Sequence, residues 1–128
     1  MPAPIVLISN QRIKPGKLEA YRANYAQAVE RFLAGRPGTL THSAYLNAEG
    51  TEVSVVMTFL DADAMDVHMQ GLGASPQRAQ ESMEFVSLQI FGSPRPATLQ
   101  LIREMVGPET PIMLRPDPVA GYTRFKPE

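Results

Sequence analysis

Two histidines, His42 and His68, are the only imidazoles in a chain of 128 residues that contains no cysteine. His68 lies in "DADAMDVHM", on a segment that reads as the start of a helix. An imidazole with an ordinary pKa near ~6.5 accepts a proton near neutrality. His68 is therefore a candidate general base towards an electron-rich phenol or quinol, which once deprotonated gives an electron to dioxygen more readily and needs no metal to do so. Asn10, in "ISNQRI", is a candidate to hold a substrate oxygen or position dioxygen, and Arg12 to stabilise a phenolate or carboxylate. Tyr21, Tyr25, Met57 and Met65 are candidate substrate-contacting wall.

Each of these residues also has a structural reading. His68 fits a half-buried helix position bonded to a carbonyl or water. Met65 and Met69, which flank it, fit adaptable core filling. Arg12 fits an exposed strand end, and the two tyrosines fit a packed helix stripe with their hydroxyls at its margin. His42 alternates with Leu40, Ala44 and Leu46 and reads as a satisfied structural histidine.

Two histidines without a carboxylate at ligand spacing do not make a metal site; Asp61, Asp63 and Asp66 read as a helix cap and first-turn charges. No Ser/His/Asp pattern, phosphate-binding glycine loop or paired-carboxylate constellation is present. The expectation is no metal and no cofactor. Twelve basic and thirteen acidic residues are interspersed and give a net charge of −1, which leaves no basic stripe for nucleic acid. The absence of cysteine fits a reducing compartment. "MPAPIVLISNQ" has no basic stretch before its short apolar run, so neither a signal peptide nor a membrane span is expected. A cytoplasmic protein is the default.

The elements that must position these residues follow from hydrophobic period. Ile5 to Ile8 reads as a strand from a buried sheet centre, extended by Ser9 to Ile13. Leu18, Tyr21, Tyr25, Ala28, Val29 and Phe32 form a helical stripe, ended by Gly35, Pro37 and Gly38. Thr39 to Asn47 and Glu52 to Leu60 alternate on either side of "AEGT" and predict a hairpin. Asp61 caps a second helix, "QGLGASP" interrupts it, and Gln77 to Glu84 is expected to resume it before a strand from Phe85 to Phe91. A third helix carries Leu99, Ile102 and Met105 or Val106. The proline-rich tail reads as an extended arm with room for one edge strand. The order strand, helix, strand, strand, helix, strand is ferredoxin-like, an α+β class with an antiparallel sheet. One domain is expected over residues 1–128, with its core at 4–92 and an added helix and arm at 93–128.

In this order both helices cover one sheet face. Val53, Val55, Met57 and Phe59 should go beneath them, as should Val86, Leu88 and Ile90. The other face, with Tyr45, Val56, Leu60 and Phe91, is too apolar to be left in water. A homodimer that pairs two such faces covers it and leaves room for a small apolar or aromatic ligand.

"IKPGKLEAYRANY" entering the first helix, "VVMTFLDADAMDVHM" crossing into the second and "SLQIFG" in the fourth strand resemble the antibiotic biosynthesis monooxygenase-like domains of the dimeric α/β-barrel superfamily. The likeness spans roughly residues 4 to 92. It implies a homodimer with a pocket per subunit between sheet and helices. The activity it implies is cofactor-independent oxygenation of aromatic phenols or quinols, with a non-catalytic ligand-binding or structural dimer as the alternative. A haem-degrading branch carries an asparagine in the first strand, which Asn10 matches. His68 stands at that branch's tryptophan position, however, and Gln77 or Arg78 stands where its axial histidine would be.

Overall fold

Strict alternation in two neighbouring strands decides where everything else goes. The computed structural model describes residues 3–124. In β1 (Ile5–Ile13) the side chains of Ile5, Leu7, Ser9, Gln11 and Ile13 are buried and the intervening ones are not; in β3 (Glu52–Phe59) the buried set is Val53, Val55, Met57 and Phe59. These two strands pair antiparallel with Leu7 opposite Met57 and Ser9 opposite Val55, so one continuous face turns inward.

The remaining elements are α1 (Leu18–Leu33), β2 (Thr39–Leu46), α2 (Ala62–Gln70), α3 (Ser75–Ala79), β4 (Met83–Phe91), α4 (Pro96–Val106) and β5 (Ile112–Arg115). The sheet runs β2-β3-β1-β4-β5, antiparallel except for the parallel β4–β5 pair at its edge. Apart from that added strand this is the ferredoxin-like arrangement the sequence predicts. The β2–β3 turn is held by the Asn47 side chain, whose Oδ1 accepts from the amides of Thr51 (2.9 Å) and Glu52 (3.0 Å), with Gly50 at φ 73°. Asp61 caps α2 by accepting from the Ala64 amide at 2.9 Å.

The expected helix over Gln77 to Glu84 is shorter in the structure. The five-residue α3 ends at Ala79, and the strand starts at Met83 because Met83 has a place in the buried layer beside Ile13, Tyr21 and Val53. Val86 also departs from expectation. The register of β4 against β1 slips by one residue between Asn10, which faces Ser87, and Gln11, which faces Phe85. This bulge turns Phe85 inward and leaves Val86 38% exposed.

The core joins Ile5, Leu7, Val55, Met57, Phe59, Leu88 and Ile90 of the sheet to Met65 and Met69 of α2 and Ile102 and Val106 of α4. Removing some 150–250 Å² of aromatic surface from water is the main contribution of a residue such as Phe59, which is fully buried. Arg95, just before α4, and Thr98 within it bond Asp66 of α2, and Arg95 also bonds Asp63 at 2.5 Å, which ties the added helix to the domain. The opposite face of the sheet has no covering element among the described residues. It presents rows such as Ser43, Val56, Ile8 and Gln89, and Tyr45 on it is 64% exposed.

Candidate functional site

Between α1, the α2–α3 corner and the inner face of the sheet lies a cavity of about 120 Å³. Engineered cavities of about 150 Å³ hold benzene, so a single ring is the natural scale of its contents. Its walls are mostly apolar, with Phe32, Met57, Met69, Met83, Phe85 and Met105 among them. Polar groups line it too, among them Ser9 and Gln11 from β1, Tyr21 and Tyr25 from α1, and His42 and His68 from β2 and α2, with Arg31 of α1 and Ser75 of α3 also at the wall.

The two imidazoles lie side by side with ring centroids 5.4 Å apart. Phe32 packs on both, edge-on to His68 at 5.0 Å and tilted to His42 at 5.3 Å, while Phe59 closes the far side of His68 at 5.4 Å. The Tyr25 hydroxyl bonds His42 Nδ1 at 2.7 Å. Arg36 Nη1 donates to His68 Nδ1 at 2.9 Å, since a guanidinium can only donate. A second chain runs along the floor, where the Tyr21 hydroxyl donates to Gln11 Oε1 at 3.1 Å and Gln11 Nε2 donates to Ser9 Oγ at 2.9 Å. Tyr21 and Tyr25 stack at 6.0 Å.

This setting keeps both histidines neutral. Burial, with the Arg36 charge adding to it, lowers His42 to about 4. Burial, then His42 and Arg36, lowers His68 to about 3. Burial raises Tyr21 to about 12 and pushes Tyr25 up as well, so both phenols stay protonated. Neither imidazole is bonded to a carboxylate among the described residues. No group of three or more histidine, aspartate or glutamate side chains that could hold a metal occurs among them either.

Of the residues singled out from the sequence, the fold brings His68, Tyr21, Tyr25 and Met57 to the cavity. Asn10 and Arg12 do not reach it. They have even parity on β1, whereas Ser9 and Gln11 have the odd parity that faces the helices. Asn10 lies on the uncovered face, where Ser54 Oγ donates to its Oδ1 (2.7 Å) and its Nδ2 donates to Ser87 Oγ (3.1 Å). Arg12 pairs there with Glu84 at 2.8 Å. Met65 is fully buried beneath α2, one turn before the cavity-facing Met69. His42, read from the sequence as structural, stands beside His68. Gln11 and Ser9 were readable as polar residues at inward positions of a central strand; Arg36, in an "AGRPG" loop, carried no such signal.

No curated protein matches the chain significantly. Among solved structures, MupZ from Pseudomonas fluorescens superposes with a TM-score of 0.71 at 17% identity, covering 94% of each chain. That coverage takes in the α4–β5 extension. SnoaB, a cofactor-independent oxygenase from Streptomyces nogalater, superposes with a TM-score of 0.61 at 12% identity, over 73% of this chain and 95% of its own. A conserved protein from Methanosarcina mazei Go1 gives 0.60 at 16% identity, over 69% and 90%. At these identities the likeness is one of fold. The family model described as antibiotic biosynthesis monooxygenase matches residues 4–75, more than half of the chain, and the protein belongs to that family.

Proposed function

We propose that the protein is a cofactor-independent monooxygenase that takes a small aromatic phenol or quinol into the cavity and oxidises it with dioxygen. The observation that carries this reading is the pair of neutral imidazoles set side by side in a mostly apolar cavity of single-ring size. For a phenol the balance is phenol plus dioxygen giving quinone plus water. The O–H bond and the para C–H bond break, one oxygen atom becomes the new carbonyl, and the other leaves as water with both hydrogens.

A base of such low pKa does not hold a phenolic proton at rest. A phenol that has given up one electron is a far stronger acid, so an imidazole receives the proton as the electron moves to dioxygen. Apolar walls keep bulk water from competing for that bond. Tyr21, Tyr25 and Met57 contact the ring in this reading. The working unit is a homodimer joined through the uncovered sheet face, on which Val6, Ile8, Val56, Leu60 and Phe91 are half-buried in the isolated chain.

The alternative, a non-catalytic ligand-binding or structural dimer, draws support from the partners already present on both Nδ1 atoms. Oxygen uptake over a panel of dihydroxyarenes separates the two. Uptake with at least one compound, lost in His68→Ala, is expected; no uptake with any compound sinks the oxygenase reading and leaves the binder.

A further inference from the structure

Arg36 comes from the loop between α1 and β2, and its guanidinium makes three contacts behind the cavity wall. Nη1 donates to His68 Nδ1 at 2.9 Å, Nη2 donates to the Gly71 carbonyl at 2.7 Å, and the group lies over the Phe32 ring at 4.6 Å. Gly71 makes room for this: a Cβ there would collide with Nη2, although its backbone at φ −93° would accept any residue.

A guanidinium has five N–H donors, no acceptor and a permanent charge. The nitrogen it bonds must carry a lone pair, so Nδ1 of the neutral His68 ring is bare and the hydrogen sits on Nε2. Nε2 has no hydrogen-bond partner among the described residues. It is not an enclosed, unpartnered atom either, a condition met there by Thr39 Oγ1. His68 lines the cavity, and Nε2 is its ring nitrogen left without a partner. His42 is not constrained in this way, because the Tyr25 hydroxyl can donate to its Nδ1 or accept from it.

We infer that Arg36 is a positioning residue that locks His68 as the Nε2–H tautomer. The cavity thereby gains a fixed hydrogen-bond donor for a ligand's carbonyl or phenolate oxygen, and proton acceptance falls to His42. The two histidines then divide the work expected of His68 alone. The cavity selects ring compounds that carry an acceptor oxygen. The tautomer assignment stands on the free protein; its consequence for ligands rests on the cavity being the binding site proposed above.

Long-range proton–nitrogen correlation spectra of the ¹⁵N-labelled free protein read the tautomer directly. His68 is expected to show a bare Nδ1 and a protonated Nε2. Arg36→Met and Gly71→Ala, the second acting only by displacing the guanidinium, should mix the tautomers, and Arg36→Lys should restore the single form. A protonated Nδ1 in the wild type, or an unmixed spectrum in both variants, overturns the assignment. Acetophenone and ethylbenzene, matched in shape but differing in one acceptor oxygen, probe the consequence. Acetophenone should bind about tenfold tighter to the wild type, and the ratio should fall towards about one in Arg36→Met. An unchanged ratio overturns the donor role, and failure of both compounds to bind overturns the cavity reading while the spectra still decide the tautomer.

Discussion

The Tyr25 hydroxyl stands 2.7 Å from His42 Nδ1, and this one bond joins the helix over the cavity to the strand at its side. Tyr25→Phe keeps the ring and removes the bond, leaving a half-buried imidazole nitrogen without its partner. The expected cost is about 1–3 kcal/mol of stability. Chemical denaturation should show a lower midpoint with an unchanged slope.

Acid should unfold the protein through its two imidazoles. His42 and His68 have folded pKa values of about 4 and about 3, both depressed below the ordinary ~6.5, so the unfolded chain binds the extra protons first. Their contribution to stability is complete above pH ~6.5. It drains as pH falls, down to about 4 for His42 and about 3 for His68. At pH 5 the loss is on the order of 2 kcal/mol for each histidine. Denaturation midpoints from pH 8 to pH 4 should be flat above neutrality and fall below it, and the fall should shrink in His68→Gln.

Asn10 tests strand parity. Its bonds to Ser54 and Ser87 lie on the uncovered face, so Asn10→Ala should leave the imidazole resonances of His42 and His68 where they are. The expected loss is about 1–2 kcal/mol of stability from the two hydroxyls it abandons. Shifted imidazole signals would mean that Asn10 reaches the cavity after all.

The uncovered face is testable through assembly. Ile8 faces Val56 on one side and Gln89 on the other, near the middle of that surface. If two such faces pair, Ile8→Asp buries a charge in the contact, and sedimentation should show a folded monomer where the wild type shows a dimer. A monomeric wild type at micromolar concentration would remove the case for pairing.

Much of this arrangement was legible in the residue order. The period-two pattern of β3 placed Val53, Val55, Met57 and Phe59 inward, and the helical stripe placed Tyr21, Ala28 and Phe32. Both patterns are local, and each needs only an apolar layer to settle against. The inward Phe85 was not legible, because a one-residue bulge is decided by how β4 meets β1 and reverses parity without leaving a mark in β4 itself.

The sequence by itself determined a ferredoxin-like order of elements, a sheet covered on one face and a second helix that carries His68 as a candidate base. Only the tertiary structure decided that His42 stands beside His68, that Arg36 holds His68 from behind and that Asn10 faces away. Local periodicity fixes which side of its own strand or helix a residue occupies. Which residues meet across 32 positions of chain, as Arg36 and His68 do, depends on how a loop closes over a helix end, and no short-range pattern encodes that.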